Sequence, residues 1–159
     1  MPKTTIKKIV SGGQTGADQA GLDFAIEHGI RHGGWIPKGR LTEAGPLPEK
    51  YKLQEMPTKS FPKRTERNLL DSDGTLIVSH GPMTGGTLLT WDLAKKHGKP
   101  CLHVDLCLKA LEDAARLLRD WVELNGVEVM NVAGPRASKD SKIYAAVKGL
   151  LGAAKIVMT

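Results

Sequence analysis

Three times along this chain a short apolar run of strand length ends in a cluster of small residues, and each cluster opens a helix. Lys8-Ile9-Val10 runs into Ser11-Gly12-Gly13-Gln14-Thr15-Gly16, with a helix expected from Ala17 to His28. Thr75-Leu76-Ile77-Val78 runs into Ser79-His80-Gly81-Pro82-Met83-Thr84-Gly85-Gly86-Thr87, with a helix from Thr87 to His97 closed by Gly98 and Pro100. Val127 to Val132 runs into Ala133-Gly134-Pro135-Arg136-Ala137-Ser138, with a helix from Lys139 to Gly152. Strands alternating with helices read as an α/β fold, a mostly parallel sheet covered by helices. In such sheets ligands bind beyond the carboxyl ends of the strands, so all three loops fall at the binding edge.

The remaining segments complete the alternation. Gly34-Trp35-Ile36 and Cys101 to Val104 read as strands, and Arg64 to Leu70 as a short helix. Leu108, Leu111, Ala115, Leu118 and Val122 mark a long helix at 3.6 spacing, and Leu22, Ala25 and Ile26 an inner face on the first helix. Residues 37–62 form an irregular Pro/Gly-rich stretch, with a small strand expected at Leu53-Gln54-Glu55-Met56. A connection of that length is usually functional or mobile.

With 159 residues and no dividing linker, the chain is expected to be one domain, 1–159. A net charge of +6 favours anionic partners, yet the basic residues are dispersed and only seven aromatic rings are present (three Trp, two Tyr, two Phe). Nucleic acid is therefore disfavoured and a phosphorylated small molecule preferred. Two cysteines make no disulfide framework. The start, MPKTTIKKIV, lacks a signal-type apolar region, and no run approaches the roughly 20 apolar residues of a membrane span. A cytoplasmic protein without membrane contact is expected; the subunit count is open, a homo-oligomer included.

The chemistry follows from the loops. The first amides of a helix lack internal partners, the helix dipole adds positive charge there, and glycine lets phosphate approach the backbone. The glycines at 12, 13 and 16 fit neither the dinucleotide spacing nor the P-loop pattern. The site is nonetheless expected on Gly12, Gly13, Gln14, Thr15, Gly16, Gly85, Gly86 and Thr87. Thr15 and Thr87 supply hydroxyl donors or simply cap their helices. Asp18 accepts from a ligand hydroxyl, holds a cation, or is a plain helix-start carboxylate. Lys38 and Arg40 neutralise phosphate or belong to a solvated basic loop. Arg64 contacts phosphate bidentately or pairs with Glu66 or Asp71. Arg136 is a weaker candidate of the same kind. Cys101, His103 and Asp105 share one strand face, but nothing else clusters with them, so no metal site is expected. No catalytic residue is assigned.

Several of these segments together resemble the molybdenum-carrier family, also described as circularly permuted YpsA-like. They are residues 11–18 with Gly21-Leu22-Asp23, residues 33–40, Tyr51-Lys52-Leu53-Gln54-Glu55, Arg64-Thr65-Glu66-Arg67-Asn68, residues 71–77 and Gly85-Gly86-Thr87-Leu88-Leu89-Thr90. The resemblance implies a Rossmann-like three-layer α/β/α sandwich within the superfamily of lysine-decarboxylase-like (LOG) proteins. It also implies a ligand that is either a nucleotide or the molybdenum cofactor, a phosphorylated pterin. Enzymes of that superfamily resemble Pro-Gly-Gly-x-Gly-Thr-x-x-Glu, whose glutamate acts as acid; here Thr90 stands at that position and Asp92 is the nearest acid. Gln19 and Ala44-Gly45 also depart from the family pattern. A binder is thus expected before an enzyme. The alternatives are a phosphoribohydrolase-like hydrolase of an N-glycosidic bond, with Asp92 or Glu66 as acid, and a single-strand nucleic-acid binder.

Overall fold

The computed structural model describes residues 6–156. The elements run β1 (Lys8–Val10), α1 (Ala17–Glu27), β2 (Arg31–Gly33), β3 (Trp35–Ile36), β4 (Leu41–Thr42), β5 (Gly45–Pro46), β6 (Gln54–Glu55) and α2 (Phe61–Leu70). They continue β7 (Gly74–Ser79), α3 (Gly85–His97), β8 (Cys101–Asp105), α4 (Leu111–Asn125), β9 (Val129–Ala133) and α5 (Ile143–Ala153). The main sheet has the order β2-β1-β9-β7-β8, and every neighbouring pair is parallel. No helix among the described residues is long and apolar enough to cross a membrane.

Right-handed crossovers fix which face each helix covers. The connections β1–α1–β2 and β8–α4–β9 travel the same way across the sheet, whereas β7–α3–β8 travels the opposite way. α1 and α4 therefore share one face with α5 packed against both, and α3 covers the other with α2 beside it. The result is the three-layer Rossmann-like sandwich that the resemblance implies.

The two faces differ in chemistry. Ile9, Leu76, Val78, Val104, Met130 and Val132 point toward α1, α4 and α5 and join one apolar core with Phe24, Leu118, Val147 and Leu150. Strand alternation turns Thr75, Ser79, Asn131 and His103 to the opposite face. The helices that meet this second face bury Arg64, Asn68 and Leu69 from α2, and Thr87, Thr90 and Ala94 from α3. One layer is closed by apolar groups, the other mixes hydrogen-bonding groups with Val10, Ile77, Leu69 and Ala94.

Several elements differ from the sequence reading. The strand that joins the main sheet after α1 is β2, Arg31-His32-Gly33, which carries no large apolar side chain and so gives no signal. β3 leaves the main sheet and pairs with β6. The residue between β2 and β3 is Gly34, at φ +128°. Ile26 is 40% exposed, because the inner face of α1 runs through Ala17, Ala20, Gly21, Phe24 and Ala25. Leu108 is 82% exposed and lies in a turn closed on the Asp105 carbonyl, before the helix begins at Leu111. α2 and α3 begin earlier than expected, at Phe61 and Gly85, and α5 begins later, at Ile143.

The irregular stretch after β3 builds a satellite core of Leu22, Ile36, Leu47, Tyr51 and Leu53. Asp23 pins it down: its carboxylate accepts from the Tyr51 hydroxyl at 2.7 Å and from the Tyr144 hydroxyl, with Lys50 Nζ at 3.3 Å. The diversion into this segment depends on Gly34, where a Cβ would stand 2.2 Å from the Ser11 carbonyl oxygen. Gly34→Ala should lower unfolding free energy by about 2–4 kcal/mol, since it combines a backbone clash with a left-handed φ. Urea unfolding measures this, and a wild-type midpoint in the variant contradicts it.

Candidate functional site

A cavity of about 340 Å³ opens at the carboxyl edge of the main sheet, between α2, α3 and the loops after β1 and β9. Asn131 on β9 belongs to its wall, with Arg64 and Asn68 of α2 and Thr87 and Thr90 of α3, while Arg136 and Lys139 come from the loop before α5. The volume lies in the range of small-molecule sites.

α2 is started by Ser60, whose hydroxyl accepts from the Lys63 amide at 3.2 Å, with Pro62 in the first turn, where a missing N–H costs nothing. That start puts Arg64 and Asn68, four residues apart, on one inward face. Asn68 is clamped to Trp35: its Oδ1 accepts from the Trp35 amide at 2.8 Å and its Nδ2 donates to the Trp35 carbonyl at 3.1 Å. Arg64 reaches across to the first loop, where Nη1 donates to the Gly12 carbonyl at 2.6 Å. A Cβ on residue 12 would stand 2.4 Å from Nη1, so glycine there makes room for the guanidinium.

Arg64 is only 9% exposed and, among the described residues, makes that one hydrogen bond. A guanidinium has five donors. No side-chain nitrogen or oxygen among the described residues is sealed away without a partner. The Arg64 nitrogens without a protein acceptor therefore keep some exposure, and Arg64 lines the cavity. The oxygen of Asn131 does the same, since its Nδ2 alone is engaged, donating to Thr75 Oγ1 at 3.2 Å. Burial draws the Arg64 pKa down from its ordinary value, and Asp18 nearby acts in the other direction.

Asp18 is the one carboxylate among the lining residues. Its Oδ2 accepts from the Gln14 amide at 3.2 Å. Burial pushes its pKa up to about 6, even with Arg64 and the Gln14 amide pulling it down. It partly borders the cavity, so water there limits the penalty.

Of the expected site residues, Gly12, Gln14, Asp18, Arg64, Gly86 and Thr87 come together around this cavity. The others are placed differently. Gly13, at φ +77°, faces Leu53 and Leu47 of the satellite core. Gly16 packs on the Pro135 carbonyl, where a Cβ would come within 2.5 Å. Gly85 sits behind Lys139, whose Nζ is 3.3 Å from the Cβ position. The Thr15 hydroxyl donates to Glu43 and does not cap α1, whose capping residue is Gly16. Thr87 lies inside α3, one turn past the capping residue Thr84, whose side chain makes no capping bond.

Lys38 is exposed outside the cavity wall. Arg40 is a tie within the satellite: Nη1 donates to the Leu53 carbonyl at 3.0 Å and Nη2 to the Tyr51 carbonyl at 3.2 Å. The ion pairs weighed for Arg64 do not form, because Asp71 accepts from Arg67 at 3.1 Å and Glu66 lies 2.8 Å from His97. That pairing holds Glu66 away from the cavity lining, and Asp92 is exposed on α3. Asn131, Asn68 and Lys139 were not anticipated. The available signal was an asparagine within the apolar run Val127 to Val132, on the face shared with Thr75.

Ser79 and His103 approach at 2.7 Å beside Asp105, but they are no nucleophile pair. The Ser79 hydroxyl has one proton and gives it to the Gly81 carbonyl at 2.6 Å. His103 Nε2 must then be the donor to Ser79. Asp105 is occupied by the Gly81 and Cys107 amides at 2.8 and 2.9 Å. Among the described residues no three His, Cys, Asp or Glu side chains group as metal ligands.

A parallel sheet covered on both faces, with an arginine-bearing cavity at its carboxyl edge, defines a Rossmann-like α/β protein. The chain belongs to the circularly permutated YpsA SLOG family, which residues 9–154 match. It is also similar, at 57% identity and a TM-score of 0.95, to the crystal structure of a "Putative molybdenum carrier protein" from Syntrophus aciditrophicus SB, over 96% of this chain and 97% of that one. No curated protein matches the chain.

Asp18 sets a pH signature for the site. Its folded pKa, about 6, lies above the ordinary 3.8, so the native state holds this proton more tightly than the unfolded chain. The associated stability is full below pH 4 and is lost as pH rises through about 6, by up to ~3 kcal/mol. Asp18→Asn should therefore gain stability relative to wild type between pH 4 and pH 7, on top of any constant offset. Denaturant unfolding across that range tests this, and a pH-independent difference contradicts it.

Proposed function

We propose that this protein binds and carries a phosphorylated heterocycle in the cavity, with the pterin phosphate of the molybdenum cofactor as the leading ligand and a nucleotide as the alternative. The observation that carries this reading is Arg64, a buried guanidinium on the cavity wall with one protein acceptor for its five donors. A buried cation of that kind is stabilised by an anion that completes its hydrogen bonds.

Three further features support a phosphate there. The first turn of α3 borders the cavity through Gly86 with no side-chain cap, which leaves the Gly86 amide and the helix dipole available, the Thr87 amide being bonded to the Thr84 carbonyl. Lys139 and Arg136 add charge from the facing loop. Asn131, Gln14 and Thr87 offer hydrogen-bonding groups suited to the edge of a ring. Cys101 and Cys107 are not in the lining, so a molybdenum cargo would be recognised through its organic part and phosphate. The name of the similar crystal structure, a molybdenum carrier, agrees with this choice.

Titration with molybdopterin released from a molybdoenzyme and with guanosine monophosphate tests the reading. Arg64→Met should weaken binding roughly 30-fold, the value of one charge-assisted contact. Arg40→Ala should leave affinity unchanged in the folded variant. Failure of wild type to bind either probe, or an unaltered Arg64→Met, overturns the proposal.

A further inference from the structure

The hairpin of β4 and β5 carries a carboxylate into a ready-made ring of donors. Glu43 sits at its turn. Oε2 accepts from the Thr15 hydroxyl and from the Ser138 amide at 3.0 Å, and Oε1 accepts from the Ser138 hydroxyl. Arg136 Nε lies 3.6 Å from Oε1. The Thr15 oxygen itself accepts from the Ala137 amide at 3.1 Å, which polarises its hydroxyl toward Glu43.

These donors come from the loops after β1 and β9, two of the three loops that end at the carboxyl edge. Arg40 and Leu47 fix the two ends of the hairpin to the satellite core, but residues 41–46 add little to hold its turn in place. Its strands are two residues each, Leu41 is 60% exposed, and its other bond to the loops is from the Glu43 amide to Gln14 Oε1 at 2.9 Å. Backbone amide, hydroxyls and guanidinium aimed at two oxygens are the donor set of a phosphoryl or carboxylate site. The Ser138 and Thr15 bonds hold the Glu43 carboxyl below its usual range, so it is an anion whenever it occupies the ring near neutral pH. Arg136 belongs both to this ring and to the cavity wall, and Gln14, which accepts from the Glu43 amide, lines the cavity too, so the two are contiguous.

We propose that Glu43 is a built-in surrogate ligand: Thr15, Ser138 and Arg136 form a second anion subsite, which the 41–46 hairpin vacates when a phosphoryl or carboxylate group of the incoming molecule takes its place. The rest of that molecule lies in the cavity, and to this extent the inference rests on the reading above.

Inorganic phosphate tests the ring by itself, on the full chain. Glu43→Ala empties it and should tighten phosphate binding about tenfold by calorimetry, a gain that a further Ser138→Ala removes. The gain should persist in an Arg64→Met background, because the ring does not include Arg64. Equal phosphate affinity in wild type and Glu43→Ala overturns the inference. Loss of molybdopterin binding in neither Arg64→Met nor its parent overturns the cavity reading and leaves the Glu43→Ala gain standing. If Glu43→Ala does not fold, hydrogen exchange on wild type decides: saturating phosphate should accelerate exchange at the Glu43 amide, which leaves Gln14 Oε1, while the Ser138 amide stays protected by the phosphate, and unchanged exchange at Glu43 overturns the inference.

Discussion

One face of the main sheet of this protein is apolar, the other sets buried polar groups beside Val10 and Ile77, and the site follows from the second. Leu76, Val78, Met130 and Val132 seal the layer under α1, α4 and α5. The alternate residues in the same strands, Thr75, Ile77, Ser79 and Asn131, face α2 and α3, three of them polar. Apolar helix faces laid over such a surface would strand its polar groups without partners. α2 and α3 instead answer with Arg64, Asn68, Thr87 and Thr90. Polar walls that point at one another need not close to a dry contact, and a cavity stays between them.

Arg64 joins this layer to the loops. Its bond to the Gly12 carbonyl fixes the first loop against α2, and the missing Cβ of Gly12 is what admits it. The first and third loops are pressed together in turn by Gly16 on the Pro135 carbonyl, and bridged by Glu43 through Thr15 and Ser138. Glycine here therefore has two uses. Gly86 leaves the α3 terminus open to the cavity, whereas Gly12 and Gly16 let protein groups approach the backbone. A phosphate-binding loop and a tightly packed loop share the same composition, and only the third dimension separates them.

That ambiguity explains what the sequence made legible. The alternation of strands and helices, read from runs such as Thr75 to Val78, set out the architecture, and the placing of three loops at the carboxyl edge followed from it. The motif segments led to the family. The roles of single residues were harder. Lys38 and Arg40 follow a strand and look like phosphate ligands, but the strand they follow, β3, leaves the main sheet at Gly34, which carries them into the satellite. Nothing local to Arg40 records that diversion. Asn131 was hidden for the opposite reason: in a strand buried on both faces, alternation no longer marks which side is polar. Arg64 was singled out, and its burial against Gly12 spans 52 positions of sequence that no local pattern connects.

In the proposed complex the anion lies against the Asn131 face of the sheet, between α2 and α3. A crystal structure grown with guanosine monophosphate tests this most directly. The phosphate should lie within hydrogen-bonding distance of the Arg64 guanidinium and the Gly86 amide, with the base toward Asn131. A nucleotide bound elsewhere on the molecule, with Arg64 still facing an empty cavity, would contradict it.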